Sequence, residues 1–227
     1  MRLPKTAHTS QPWRIHEVTP DFEVEDVWAL PTPGGPNDLP RLVQQFATDD
    51  PRKLDAQGRY VGDGSHGIVS RVSRAVFELR WRLGELFGWD DPDSGVGRRV
   101  ATLRDRLPVD LRNGPRGPNP NSVPMTPLYL TDDEFAAELS NRTVHSVMHL
   151  GWVPDGTGGY RGQMAVLVKP NGRFGAAYMA AIKPFRYLLV YPALMRSIER
   201  DWQARTDKPA GDARGVPSFH EYPSPGV

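Results

Sequence analysis

Arg161-Gly-Gln-Met-Ala-Val-Leu-Val-Lys169, closed by Pro170-Asn171-Gly172, reads as a strand followed by a turn, and from Phe174 onward a long apolar helix pattern takes over. Tyr178, Ile182, Phe185, Leu189, Pro192, Met195 and Trp202 recur at steps of three, four or seven. At about 1.5 Å per residue that spacing predicts one greasy side along a helix roughly 40 Å long. No single strand is wide enough to cover such a stripe. The expected partner is a curved antiparallel sheet built mostly from residues just upstream, which makes this an α+β chain whose sheet grips a closing helix.

Composition narrows the classes. The chain has 227 residues, 38% of them hydrophobic, which is enough for one real core. Its 28 Lys and Arg against 27 Asp and Glu leave a net charge of +1, and the basic residues do not gather into one block with interleaved aromatics, so nucleic acid is not an expected partner. With no cysteine, disulfides, thiolate zinc sites and cysteine nucleophiles are excluded. The basic start, Met1 to His8, runs into polar Thr9-Ser10-Gln11 instead of an apolar segment and reads as lacking a signal peptide. Tyr187 to Met195 is too short for a membrane span and contains Pro192. A cytoplasmic protein is expected.

In chain order, residues 1–11 read as a flexible N-terminal arm, and Trp13 to Val18 alternates like a first strand. Phe22, Val27 and Leu30 have the spacing of a short helix, ended by Pro31-Thr-Pro-Gly-Gly-Pro36; Asn37 or Asp38 is placed to cap a second, with Leu39, Leu42, Val43 and Phe46 on one face. Residues 48–67 read as a loop, and 68–87 as an extra helix carrying Val69, Val72, Val76, Leu79, Leu83 and Leu86 on one side. Strands are expected at 128–131, 135–140, 143–153 and 161–169. Residues 12–205 then form a single domain, and 206–227, rich in Pro and Gly, a disordered tail.

The motifs Pro31-Thr-Pro-Gly-Gly-Pro36, Arg80-Trp-Arg-Leu-Gly-Glu-Leu86, Thr102-Leu-Arg-Asp-Arg-Leu107, Pro127-Leu-Tyr-Leu-Thr-Asp-Asp-Glu134, Asn141-Arg-Thr-Val-His145, Met148-His-Leu-Gly-Trp152 and Ile182-Lys-Pro-Phe-Arg186 resemble the bacterial family catalogued as domain of unknown function 2867. The resemblance runs from about Trp13 to Trp202. It implies a helix-grip fold of the START-like (SRPBCC, Bet v 1-like) kind, and an association with oxidoreductases, because related domains follow the Rossmann domain of short-chain oxidoreductases in other members.

The sharpest chemical constellation lies on two strands. His145 and His149 point to one strand face, yet their Cα atoms are about 13 Å apart, too far to chelate one metal together. If 135–140 and 143–153 form a hairpin that pairs Leu139 with Val144, Glu138 falls opposite His145 and Glu134 opposite His149, as two acid–base pairs with Cβ atoms about 5 Å apart. The competing reading makes these four residues a solvated outer face. Val144, Met148, Leu150 and Trp152 on the other face form the better core side, which favours that reading.

Gly62-Asp-Gly-Ser-His-Gly67 matches a dinucleotide fingerprint formally, but no buried parallel strand precedes it. Asp90, Asp91, Asp93 and Gly95 start like a calcium loop, with Thr102 where its closing Glu belongs. Neither a Gly-x-Ser-x-Gly elbow nor a His-Glu-x-x-His motif occurs, and no cofactor or metal is expected. Arg98, Arg99, Arg104 and Arg106 read as a solvated basic face with Asp105 and Asp110 nearby.

The leading expectation is a small hydrophobic molecule held in a cavity between the sheet and the C-terminal helix by Tyr129, Trp152, Met164, Tyr178, Ile182, Phe185 and Leu189. A cyclase- or dehydratase-like enzyme with Glu134, Glu138, His145 and His149 as general acids and bases is the alternative. A non-catalytic interaction module attached to an oxidoreductase is the third.

Overall fold

The computed structural model describes residues 1–48, 96, 100–120, 125–140, 144–172, 183 and 186–206. Six strands, β1 (Arg2–Leu3), β2 (Glu23–Ala29), β3 (Thr126–Leu130), β4 (Glu134–Ser140), β5 (Val144–Pro154) and β6 (Tyr160–Pro170), form one curved antiparallel sheet in the order β1-β2-β6-β5-β4-β3. β3 to β6 are a meander, as expected from their alternation, and β2 adds to the far side of β6. Short β1 pairs with β2, and the Met1 amino group donates to the Ala29 carbonyl at 2.9 Å.

Strand register sorts the side chains onto two faces, and both faces are covered. On one lie Trp28, Phe135, Ala137, Met148, Leu150, Trp152 and Met164. Against them pack Leu39, Leu42 and Val43 of α3 (Leu39–Thr48) and Tyr191, Ile198 and Trp202 of α5 (Tyr191–Thr206). The seven- and four-residue steps of those last three residues put them on one helix side. Of the apolar stripe read from the sequence, Trp202 is on that side and Met195 packs against it half-buried, while Tyr191 and Ile198 were not in the stripe. On the opposite face Val27, Leu128, Tyr129, Ala136, Val147, Ala165 and Leu167 meet Trp13, Ile15 and Val18 of the N-terminal segment and Leu103, Leu107 and Leu111 of a second segment. The first cover holds the helical turns α1 (Thr6–Thr9) and α2 (Ile15–Val18); the second holds a 3-10 turn (Leu103–Arg106) and α4 (Val109–Asn113).

Three expectations for the N-terminal third are corrected here. Residues 1–11 are not a loose arm: they supply β1 and α1, and His8 is fully buried. Trp13 to Val18 is no strand, because Ile15 and Val18, three apart, bury the same side of a single helical turn. Phe22 to Leu30 contains a strand and not a helix. A bulge between Val24 and Asp26 inserts one residue, so Val24 and Val27 fall on the same face with a helix-like spacing of three. The helix at Leu39 and the four later strands agree with the reading. Of the expected loop at 48–67 and tail at 206–227, Thr48 and Thr206 end helices; the rest of both, with the helix at 68–87 and the Gly62–Gly67 and Asp90–Gly95 motifs, lies outside the described residues.

The closing helix is irregular where Pro192 predicts it. Arg186–Val190 is π-helical and gives way to α-helix at Tyr191. Proline at the second position of that helix donates no N–H and crowds the preceding turn, which a wider turn accommodates. Pro184 in the sequence also predicts a bend, near Phe185, and that position lies outside the described residues. Asp26, buried on this face, ties the junction to the sheet: Tyr191 Oη donates to it at 2.8 Å, Arg186 Nη2 at 2.6 Å, and Tyr187 Oη donates to its other oxygen. Burial, together with the Asp26 charge, pushes the Tyr187 phenol up to about 12.

Packing of the N-terminal cover can be checked at Gly151, where an added Cβ would lie 2.6 Å from Trp13 Cζ2. Gly151→Ala must displace the indole and is expected to lose about 1–3 kcal/mol in a urea titration. Gly156, with φ of 85° and nothing near its Cβ position, is the control, and alanine there costs about 1 kcal/mol of backbone strain alone. A smaller loss at Gly151 than at Gly156 would contradict this packing.

Candidate functional site

Both sequence-derived acid–base pairs form, by a different register from the one expected. Ser140 stands opposite His145 and Ala136 opposite His149, so β4 is slipped by two residues. A two-residue slip keeps every side chain on its face. Each glutamate is therefore diagonal to its histidine, still within reach of a long side chain. His145 Nε2 bonds Glu138 Oε2 at 2.8 Å and His149 Nε2 bonds Glu134 Oε2 at 3.0 Å. The reading of these four residues as a solvated outer face is corrected: all are buried, at 3% exposure or less, beneath the two covers.

Burial is affordable because each carboxylate has further donors. Glu138 accepts Thr102 Oγ1 on one oxygen and Leu103 N–H at 3.1 Å on the other, so it anchors the start of the 3-10 turn. Phe22 packs edge-on against His145, with ring centroids 5.1 Å apart. Glu134 accepts Arg14 N–H at 2.9 Å and Tyr129 Oη at 2.9 Å. Each glutamate thus joins one β5 histidine to one backbone N–H of a covering segment.

The Glu134 pair continues inward. His149 Nδ1 lies 3.1 Å from Nε2 of His8, and the rings of His8 and His16 meet edge to face at 4.9 Å. Burial pushes the Glu134 carboxyl up, but the bond from His149, with those from Arg14 and Tyr129, outweighs it and leaves the group below its usual range. Burial lowers His149 and is offset only in part by Glu134. Burial, then His149 and His16, lower His8 to about 2. Burial and the Glu134 charge push the Tyr129 phenol far up. At neutral pH, then, an ionised Glu134 accepts from neutral His149, whose Nδ1 accepts from His8 Nε2–H. That tautomer leaves His8 Nδ1 a bare lone pair, and the atom is buried with no partner among the described residues.

The described residues also include a cleft of about 490 Å³ at the edge of the N-terminal cover. Lys5, Thr9, His16, Thr19, Pro20 and Phe22 come from the cover side, Glu23, Val24 and Leu167 from β2 and β6. Among the predicted ligand contacts, Trp152 and Met164 face the C-terminal helix, while Tyr129 lies on the opposite face, bound to Glu134. Tyr178, Ile182 and Phe185 lie outside the described residues, and Leu189 is described only as part of the π-helical segment. His8, His16, Asp26 and Thr102 were missed. No local signal marked them: His8 stands in the polar run Lys5–Gln11, and Asp26 directly follows Glu25. Among the described residues no group of three or more His, Asp or Glu is arranged to hold a metal ion, and no helix is long and apolar enough to cross a membrane.

The charge states fix how stability depends on acid. His8, His149 and Glu134 all have folded-state values below their unfolded ones, so the unfolded chain binds more protons. Their stabilisation is complete above the unfolded values and is lost as pH falls. Unfolding free energy is expected to drop below about pH 6.5 by up to about 1.4 kcal/mol per pH unit for each histidine. Urea titrations across that range measure it, and a flat profile down to about pH 5 would rule out neutral burial of the pair.

No curated protein and no solved structure matches the chain. Residues 18–193 match the sequence model described as "Protein of unknown function (DUF2867)", a span that takes in β2 to β6, both glutamate–histidine pairs and the π-helical junction. The chain belongs to the DUF2867 family.

Proposed function

We propose that this protein binds a small, largely apolar molecule in the cleft between the N-terminal cover and the β2–β6 edge. The observation that carries this is the lining: Pro20, Phe22, Val24 and Leu167 supply an apolar body, and Lys5, Thr9 and His16 a few polar groups that would orient a ligand. The cavity expected between sheet and C-terminal helix is the competing location, and its described part is filled by Trp28, Trp152, Tyr191 and Trp202, each at 8% exposure or less. A START-like helix-grip ancestry belongs to this proposal too. Its support is the element order, with a first long strand beside the last, a meander between, and a closing helix on the sheet.

Catalysis is the second reading, favoured by the Tyr129–Glu134–His149–His8 chain, which has the connectivity of an oriented acid–base relay. All four members are sealed from solvent, so they serve chemistry only where the cover lifts. As described, they fasten the fold. Association with an oxidoreductase rests on the family resemblance alone; the large hydrophobics exposed among the described residues are Met1, Val109 and Leu188.

The two locations separate by mutation. Thr9→Trp places an indole at the cleft rim and is expected to weaken an environment-sensitive apolar dye by at least about tenfold in a fluorescence titration, roughly 1.4 kcal/mol. Leu194→Trp, on the α5 side, is expected to leave it unchanged. The reverse pattern would move the ligand behind the C-terminal helix.

A further inference from the structure

The covering segment that walls the cleft is held to the sheet by ties of unequal kind. Two run through groups that change charge in acid: the His8 Nε2–H to His149 Nδ1 bond at 3.1 Å and the Arg14 N–H to Glu134 bond at 2.9 Å. A third, Gln163 Nε2 to the Ala7 carbonyl at 3.3 Å, is long and neutral. Trp13, packed over Gly151, and fully buried Ile15 and Val18 add apolar contacts.

The imidazole pair tolerates little added charge. One N–H is shared between two ring nitrogens, so charging both rings sets N–H against N–H and removes the bond. Charging His8 at Nδ1 alone would create a buried donor where no acceptor faces it among the described residues. On the cover side His16 sits 4.9 Å from the His8 ring, Lys5 lies in the same segment, and Arg14 is paired outward with Asp110 and Glu17. On the sheet side His149 is backed by Glu134, with Asp133 nearby and Tyr129 bound to that same carboxylate. Glu134 already accepts three donors at neutral pH. Its charge can offset one imidazolium, not the two that acid creates on His8 and His149.

We propose that the N-terminal cover is a proton-operated closure of the binding cleft: protonation of the His8–His149 pair lifts residues 5–19 from the sheet and dismantles the wall formed by Lys5, Thr9, His16 and Thr19. This regulation rests on the cleft reading above. A ligand that needs the assembled wall is released in mild acid, and by linkage the bound ligand holds the cover down. Because β2 to β6 and both helices of the opposite face keep their own apolar packing, the opening is local.

Amide hydrogen exchange on the full chain, corrected for intrinsic rates, tests the closure. Between about pH 7.5 and about pH 5, protection of residues 5–19 is expected to fall by about 30-fold or more, the factor for releasing one histidine of ordinary pKa into solvent. Amides of β5 and β6 hold their protection, and the dye leaves the cleft over the same range. His8→Gln keeps an N–H donor and cannot titrate, so its cover is expected to change by less than about twofold. Equal acid release in His8→Gln, or loss of β5–β6 protection at the same pH, would overturn the closure. Should that variant fail to fold, imidazole nitrogen NMR of the unmodified chain near neutral pH decides: His8 is expected protonated on Nε2 and bare on Nδ1, and the opposite tautomer overturns the proposal. Absence of dye binding at about pH 7.5 with a protected cover overturns the cleft reading itself, separately from the exchange result, and the closure's role falls with it.

Discussion

Two carboxylates on one buried sheet face impose the constraint on which this architecture depends. An ionised glutamate moved into an apolar layer is heavily penalised unless its oxygens find donors. Glu134 and Glu138, four residues apart on β4, find theirs in the same two kinds of group: an imidazole four residues apart on β5, and a backbone N–H from a segment laid across the strands. Neither cover can leave without stranding a charge, and neither glutamate can be buried before its cover arrives. The sheet face therefore assembles as a unit with residues from positions 14 and 103, far apart in sequence.

The opposite face solves a different problem by different means. Its contacts are mostly apolar and aromatic, and Asp26, the one deeply buried carboxylate on it among the described residues, serves as a fastener for the helix that the sequence makes irregular. Pro192 widens the preceding turn, and the residues of that turn, Arg186 and Tyr187, with Tyr191 just after it, are the donors to Asp26. Asp26 reaches this face only because the β2 bulge shifts the alternation by one. One inserted residue thus directs Val24 and Val27 to the first face while turning Asp26 and Trp28 toward the closing helix.

The meander and the closing helix were legible because their signals are periodic. Alternation marks β3 to β6, the stripe ending in Met195 and Trp202 marks the helix, and the four-residue spacings of Glu134, Glu138, His145 and His149 put them together on one face. The exact pairing was hidden, since a two-residue slip leaves the face pattern unchanged and only the turn chemistry decides between registers. The N-terminal third resisted reading for another reason. A single helical turn such as Ile15–Val18 and a bulged strand such as Glu23–Ala29 are shorter than the window over which periodicity can be told apart, and the bulge imitates the wrong period. His8 carried no local signal: its role comes entirely from a residue 141 positions away.

These differences bear on where a ligand would act. The faces with periodic signals are also the ones closed by broad apolar contact, and such regions open only with the whole fold. The N-terminal segment adds to the apolar contacts of Trp13, Ile15 and Val18 two ties through groups that acid charges, and it is this segment that contributes most of the cleft wall. A wall fastened through such ties can move in acid without unfolding the sheet behind it. Placing the cleft there also separates two jobs that would conflict in one site: Glu134 and His149 stay dehydrated as fasteners, with one negative charge between them, while His16 and Lys5, at the rim, remain accessible to whatever the cleft admits.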